Sequence, residues 1–235
     1  KQEKAVSEHE NILREKLSIA WRFFYGRGFV DGFGHISART DDPNIVLMTP
    51  HDLGKVSHPE DFLLCDLDGN LIGKKGKLPG ELPIHLEVFK ARADVNSVAH
   101  FHTHNATSFS MSEHNLKPTY FMASIFNKGI PVHPDSRLIM TEERGRAMAE
   151  TLGDCRAMLL RAHGIVVTGP DVEEMTTGVY FMEDNAKRTA IAASMGDYET
   201  LGEAEMDEIS GEMLKTRGPI GRVWALAEIE AKEAD

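Results

Sequence analysis

Residues 97–108 read SVAHFHTHNATS and set His100, His102 and His104 at alternate positions in a chain with eleven histidines. Alternate side chains of a strand share a face, so two imidazoles two residues apart can reach one ion, at zinc–nitrogen distances of roughly 2.0–2.1 Å. The same spacing also fits a polar strand face. Three other stretches bear on the choice. In LLRAHGIVVTG, His163 ends an apolar run just before Gly164, the pattern of a side chain presented where backbone approaches closely. It is a candidate third ligand, or a buried histidine bonded to a carbonyl. In GELPIHLEVF, Glu81 enters a helix beside Gly80, either facing a polar site or favouring the positive end of the helix. In DGFGHISAR, a glycine-flanked turn delivers His35, Ser37 and Arg39, and local sequence alone favours His35 as an ordinary turn residue.

Periodicity gives the elements that must carry these residues. Residues 9–25 place Ile12, Leu13, Leu17, Ala20, Trp21 and Phe24 on one helical face before GRG stops the helix. Residues 33–73 break into short apolar runs between turns, and DLDGNL reads as a hairpin whose Asp-Gly supplies a positive-φ turn. A helix over IHLEVFKARA follows Pro79 and Pro83 and leads into the strand VNSVAHFH. His85 lies one turn beyond Glu81 on that helix and reads as structural or as support for the site. GRAMAETLG predicts a helix ended by Gly153, RAMLLRAHGIVVTG a strand, and a long helix runs from about Pro170 to Met195. No repeat or linker divides the chain, so residues 1–235 read as one domain with a polar, mobile tail from about 221.

With 235 residues and 41% apolar content, the chain can bury a substantial α/β core. No apolar run reaches the length of a membrane span, and KQEKAVSEHE lacks the basic-then-apolar pattern of a secretory leader. A soluble, cytoplasmic protein is expected. Cys65 and Cys155 lie in no ligand spacing and read as small core residues in a reducing compartment. The net charge of -11 argues against a nucleic-acid partner, because phosphate binding rests on lysine and arginine. It also means that an anionic substrate needs concentrated positive charge at its site, which a bound divalent metal would supply.

Glu81, then His100 and His102, then His163 before a glycine, with GHISAR upstream, resembles the class II aldolase/adducin family. The resemblance runs from the first helix to the helix after His163. It implies a single-domain, three-layer α/β/α fold with a mainly antiparallel central sheet. It further implies one divalent metal ion per chain, zinc first and manganese next, on His100, His102 and His163, with Glu81 as acid/base. The Glu81-to-His100 interval is similar to the family's without a gap, which leaves His104 to line the pocket; a register on His102 and His104 stays open. Family members commonly form homotetramers with sites between subunits. Tyr120, in LKPTYFMAS, matches the tyrosine that a neighbouring subunit contributes, and alone it also reads as a buried aromatic.

Sugar-phosphate aldolases of the family hold phosphate with an asparagine in the early glycine turn and two serines before the glutamate. Here those positions are His35 and Pro79-Gly80, which offer no such hydroxyls, so a phosphorylated sugar is not expected. GHISAR, ELPIHLEVFKARADVNSVAHFH, LLRAHGIVVTG and VYFMEDNAKR are similar to the branch that decarboxylates hydroxylated aromatic or pyridine carboxylates. That implies a metal-dependent carbon–carbon lyase of aromatic-compound catabolism acting on a small molecule. His35 and Ser37 would hold a remote carboxylate or hydroxyl of that substrate. Two alternatives stand beside it: an aldolase acting on a nonphosphorylated substrate, and a noncatalytic adducin-like scaffold.

Overall fold

Alternation along the strands sorts the side chains into two faces, and each face is covered by helices. The computed structural model describes residues 7–30 and 32–233. The leader reading of residues 1–6, and the last two residues of the tail, lie outside them. The chain begins with α1 (Glu8–Gly26), β1 (His35–Arg39), β2 (Ile45–Met48), β3 (Leu63–Asp66), β4 (Leu71–Ile72) and α2 (Leu82–Ala91). It continues through β5 (Ser97–Phe101), α3 (His104–Phe109), β6 (Val132–His133), α4 (Glu142–Leu152), β7 (Ala157–Leu160) and β8 (Gly164–Gly169). Three helices close it: α5 (Val172–Met195), α6 (Glu203–Thr216) and α7 (Gly218–Glu233).

The strands form one mixed sheet in the order β4-β3-β2-β1-β5-β8-β7-β6. Every neighbouring pair is antiparallel except β6 with β7. Ile36, Ala38, Ala99, Phe101, Ile165 and Val167 point to one side and pack against Leu17, Phe24, Val179, Met182 and Val223 of α1, α5 and α7. Val98, Met158, Leu160 and Val166 point to the other and pack against Ile84, Val88, Met148 and Leu152 of α2 and α4. The expected three-layer α/β/α arrangement is thus present, with the polar residues His35, Ser37 and His100 on the α2–α4 face by the same alternation.

Several local readings hold. Ser7 caps α1 by accepting from the Glu10 amide at 3.0 Å, and Asp171 caps α5 by accepting from the Glu174 amide at 2.8 Å. The DLDGNL turn carries Gly69 at φ +83, with Asp66 Oδ1 accepting from the Asp68 and Asn70 amides. On α1, Ile12 is exposed and Phe23 takes the core place expected of it. Cys65 is buried, whereas Cys155 is only partly so, and both are free thiols.

Other expectations are corrected. VNSVAHFH does not stay extended to His104: β5 ends at Phe101 and α3 begins at His104, because the Glu183 carboxylate from α5 accepts from the Asn105 and Ala106 amides at 2.8 and 2.9 Å. RAMLLRAHGIVVTG is a hairpin rather than one strand, β7 turning into β8 through Arg161, Ala162 and His163. Ala162 adopts φ 52, a conformation unusual for a side chain with a Cβ, and its amide donates to Ser110 Oγ at 2.9 Å. The tail from 221 is not loose. Residues 218–233 form α7, which buries Ile220, Val223, Ala227 and Ala231, and Glu230 pairs with Arg27, just after α1, at 2.5 Å. A period near four among those apolar residues is the signal, diluted in the sequence by the many charges between them.

Among the described glycines, Gly164 has the least room for a side chain. A Cβ there would overlap the Phe101 carbonyl oxygen and approach His102 Cδ2 to 2.9 Å and His100 Cε1 to 3.2 Å. Gly164→Ala is therefore expected to push β5 and β8 apart at the two histidines, lowering stability by about 1–3 kcal/mol, the usual cost of overpacking. Thermal denaturation and metal titration of that variant check it: both should weaken together.

Candidate functional site

Four side chains converge at one end of the sheet on the α2–α4 face. His100 comes from β5 and His102 from the residues just after it, His163 from the β7–β8 turn, and Glu81 from the residue preceding α2. One candidate ligand atom from each lies within 4.8 Å of the others. The rings of His100, His102 and His163 sit 4.9–5.1 Å apart, centroid to centroid. Glu81 Oε2 is 3.7 Å from His100 Nε2 and 3.5 Å from His163 Nε2.

The two readings of Glu81 separate here. Its carboxylate does not cap α2. Instead Oε1 accepts from the Ile139 amide at 2.8 Å while Oε2 faces the imidazoles. Burial pushes this carboxyl up, but the neighbouring imidazoles of His163 and His100 and the Ile139 amide outweigh it, holding it down at about 2. Glu81 is ionised at neutral pH.

Donor chemistry tests whether this cluster suits a metal. His100 Nδ1 donates to the Ile165 carbonyl oxygen at 2.9 Å, so a neutral ring keeps its lone pair on Nε2, the atom facing the cluster. That Nε2 and both ring nitrogens of His163 are buried without a hydrogen bond among the described residues. Buried polar atoms of that kind are rare unless something absent satisfies them. Three imidazoles and a carboxylate around one point fit a divalent cation. His163 is thus not a carbonyl-bonded core histidine.

The remaining candidates lie in different relations to the cluster. His35 pairs with His100 across β1 and β5, and its ring is 5.0 Å from that of His100. Ser37 is fully buried, with its hydroxyl 2.6 Å from His85 Nδ1, so it stands behind His35 and does not face a ligand as expected. His104 is exposed at the start of α3 and lies beside Arg27, Asn105, Glu183 and Lys187 in a separate depression, outside the cluster of four. The helix start turns it away from the face that His100 and His102 share. Tyr120 lines another groove, with Phe121, Tyr180, Val223 and Leu226, and Arg188 lies over its ring at 4.9 Å. Burial and the Asp184 carboxylate push its hydroxyl up. Within one chain Tyr120 does not join the cluster. His9, His51, His58 and His114 are exposed, while His133 is buried and bonded to Thr151 Oγ1 at 2.9 Å.

Burial holds the His35, His85 and His100 rings below the ordinary imidazole range, His85 at about 3. Unfolded, each returns to about 6.5, so below that pH the unfolded chain takes up protons that the folded chain refuses. Stability is therefore whole above about pH 6.5 and falls on acidification toward pH 3, with His85 alone contributing about 1.4 kcal/mol per pH unit. Urea unfolding of metal-free protein at pH 7, 6 and 5 should show this slope, and His85→Gln should flatten it.

A three-layer α/β/α fold whose sheet end gathers three histidines and a glutamate defines a class of protein with a cluster that could hold a divalent cation. The family described as Class II Aldolase and Adducin N-terminal domain matches residues 15–190, and the chain belongs to it. A 3,4-dihydroxyphthalate decarboxylase of Rhodococcus jostii (strain RHA1) is 29% identical over 230 residues, covering 90% of this chain and 92% of that one. An L-fuculose phosphate aldolase of Methanococcus vannielii (strain ATCC 35089 / DSM 1224 / JCM 13029 / OCM 148 / SB) is 33% identical over 187 residues, covering 77% and 97%. Among solved structures, an aldolase II superfamily protein from Pseudomonas syringae superposes with a TM-score of 0.86 at 22% identity, covering 98% and 96%. Family and relatives make this chain an enzyme of the class II aldolase type. No helix of the described residues is long and apolar enough to cross a membrane.

Proposed function

We propose that the protein is a divalent-metal-dependent lyase that decarboxylates a hydroxylated aromatic or pyridine carboxylate. The observation that carries the reading is the meeting of an ionised Glu81 with the imidazoles of His100, His102 and His163, one ligand atom from each lying within 4.8 Å of the others. His100, His102 and His163 would hold the ion. When bound, it supplies a Lewis acid that takes up the electron density left by carbon–carbon cleavage. Neutral imidazoles leave that charge undiminished.

Glu81 is ionised and so begins as a base. It takes the proton of a ring hydroxyl beside the carboxylate and returns it to the ring carbon that bears the carboxylate. The ring is then a ketone with the carboxylate β to its carbonyl. The bond to the carboxylate breaks, carbon dioxide leaves, and the electron pair restores the aromatic ring and the oxygen anion, which regains a proton on release. The same residue thus moves the same proton twice. His35, beside His100, faces the remainder of the substrate.

Similarity to the Rhodococcus decarboxylase supports this choice. So does the chain before Glu81, where Pro79 is buried and Pro79-Gly80 carries no hydroxyl with which to grip a phosphate. Similarity to the Methanococcus aldolase favours a second reading, retro-aldol cleavage at the same centre. The intact cluster of four disfavours a scaffold without turnover. Ortho-hydroxy aromatic and pyridine carboxylates, and nonphosphorylated hydroxy-carbonyl compounds, assayed side by side for carbon dioxide and for aldehyde, separate the two lyases. Carbon dioxide without aldehyde is the expected result.

The same reading includes a homo-oligomer with Tyr120 entering a neighbour's site. Its support is the apolar groove around Tyr120, where Phe121 is 53% exposed. A fully active monomer in sedimentation would overturn that part.

A further inference from the structure

Behind His35 lies a chain of two short hydrogen bonds that the proposed chemistry does not use. Ser37 Oγ is 2.6 Å from His85 Nδ1, and His85 Nε2 is 2.6 Å from His35 Nδ1. Ser37 and His85 are completely buried and His35 nearly so. Each of these contacts holds one hydrogen, so the direction of the chain is set by its end. The Ser37 hydroxyl has no other acceptor among the described residues, and a buried donor left unmade is costly. Ser37 therefore donates to His85 Nδ1. His85, accepting there, carries its own hydrogen on Nε2 and donates it to His35 Nδ1. His35, accepting in turn, carries its hydrogen on Nε2. The opposite direction would make Ser37 an acceptor and strand its hydrogen.

We propose that Ser37 and His85 are positioning residues that lock His35 as an Nε2–H donor, and that this donor reads a second anionic oxygen of the substrate, a carboxylate or phenolate next to the metal-bound part. Two consequences follow from the locked tautomer. The Nε2 lone pair of His35 is occupied by a proton, so this fourth histidine, although its ring is 5.0 Å from that of His100, does not compete for the ion. It also offers a hydrogen bond without adding positive charge to a site that already has a cation. The sheet supports the arrangement: β1 puts His35 and Ser37 on one face two residues apart, and α2 brings His85 down between them.

This deepens the decarboxylase reading and rests on it for the substrate, while the tautomers can be observed without any turnover. Histidine in the full-length, zinc-loaded protein would be labelled with nitrogen-15 and long-range proton–nitrogen correlations recorded. His35 and His85 are both expected as Nε2–H tautomers; an Nδ1–H tautomer at His35 in the wild-type protein overturns the proposal. Ser37→Ala should disturb both tautomers, and Ser37→Thr, which keeps the hydroxyl, should restore them. In kinetics, Ser37→Ala should raise KM about tenfold for a hydroxybenzene dicarboxylate, with kcat within about twofold, and leave KM for the matching monocarboxylate unchanged. Equal losses on both substrates would overturn the second-oxygen role. Wild-type protein that turns over neither substrate would refute the decarboxylase reading, with the tautomers still deciding the relay.

Discussion

Glu81→Gln is expected to lower turnover by about 10²- to 10⁴-fold, the range that a positioned acid/base contributes. Glutamine has the same shape and can still accept from the Ile139 amide, as Glu81 Oε1 does at 2.8 Å, so the start of α2 should be undisturbed. What is lost is the ability to take and return a proton. Glu81 is held at about 2 in the folded chain, so the wild-type group is ionised at neutral pH and acidification to pH 5 leaves it so. The variant should retain its ion, because three imidazoles remain. Single-turnover kinetics on metal-replete protein distinguish this from simple loss of metal: a normal metal content with a slow chemical step is the predicted pair. A variant with wild-type turnover would remove Glu81 from the chemistry.

His163→Ala is expected to reduce metal affinity by more than the roughly 10- to 100-fold seen when only an outer partner of a ligand is removed, and to abolish activity at any metal concentration that leaves the wild-type enzyme half saturated. His163 occupies a turn, with its ring nitrogens buried and without hydrogen bonds among the described residues, so its loss removes a donor, while Glu81, which it faces at 3.5 Å, keeps the Ile139 amide. The fold should survive. Titration with zinc in a competing chelator, together with circular dichroism, checks both halves. His104→Ala serves as the contrast, since His104 is exposed and outside the cluster, and its affinity for metal should match wild type.

The strand readings carried a good part of this site. Period-two alternation puts His100 on the same face as His35 and Ser37, and His163 before Gly164 was legible because only glycine tolerates the neighbouring Phe101 carbonyl. Glu81 was legible as an acid at a helix entry, though its sequence could not decide between capping and catalysis. Other features depend on partners far along the chain. Glu183 stops β5 at the histidines from nearly 80 positions away, and this is why His104 turns aside. Ser110 holds Ala162 in the turn that aims His163, so a turn with alanine rather than Gly or Asn at its positive-φ position hides a hairpin. Ser37 and His85, 48 residues apart, looked like a contact residue and a structural one until β1 and α2 brought them together. In α7, an apolar stripe of small and branched residues is broken by charges and reads as a polar tail until α1 and α5 are present to cover it.

The central claim is tested most directly with an ortho-hydroxybenzene dicarboxylate carrying carbon-13 in each carboxyl group, incubated with metal-loaded enzyme, with chelator-treated enzyme and with His163→Ala. Labelled carbon dioxide should appear with the loaded enzyme, one equivalent for each equivalent of substrate consumed, and should be absent from the other two. A wild-type protein that binds one ion per chain yet releases no label, while cleaving a hydroxy-carbonyl compound to an aldehyde, would contradict decarboxylation and make the centre an aldolase.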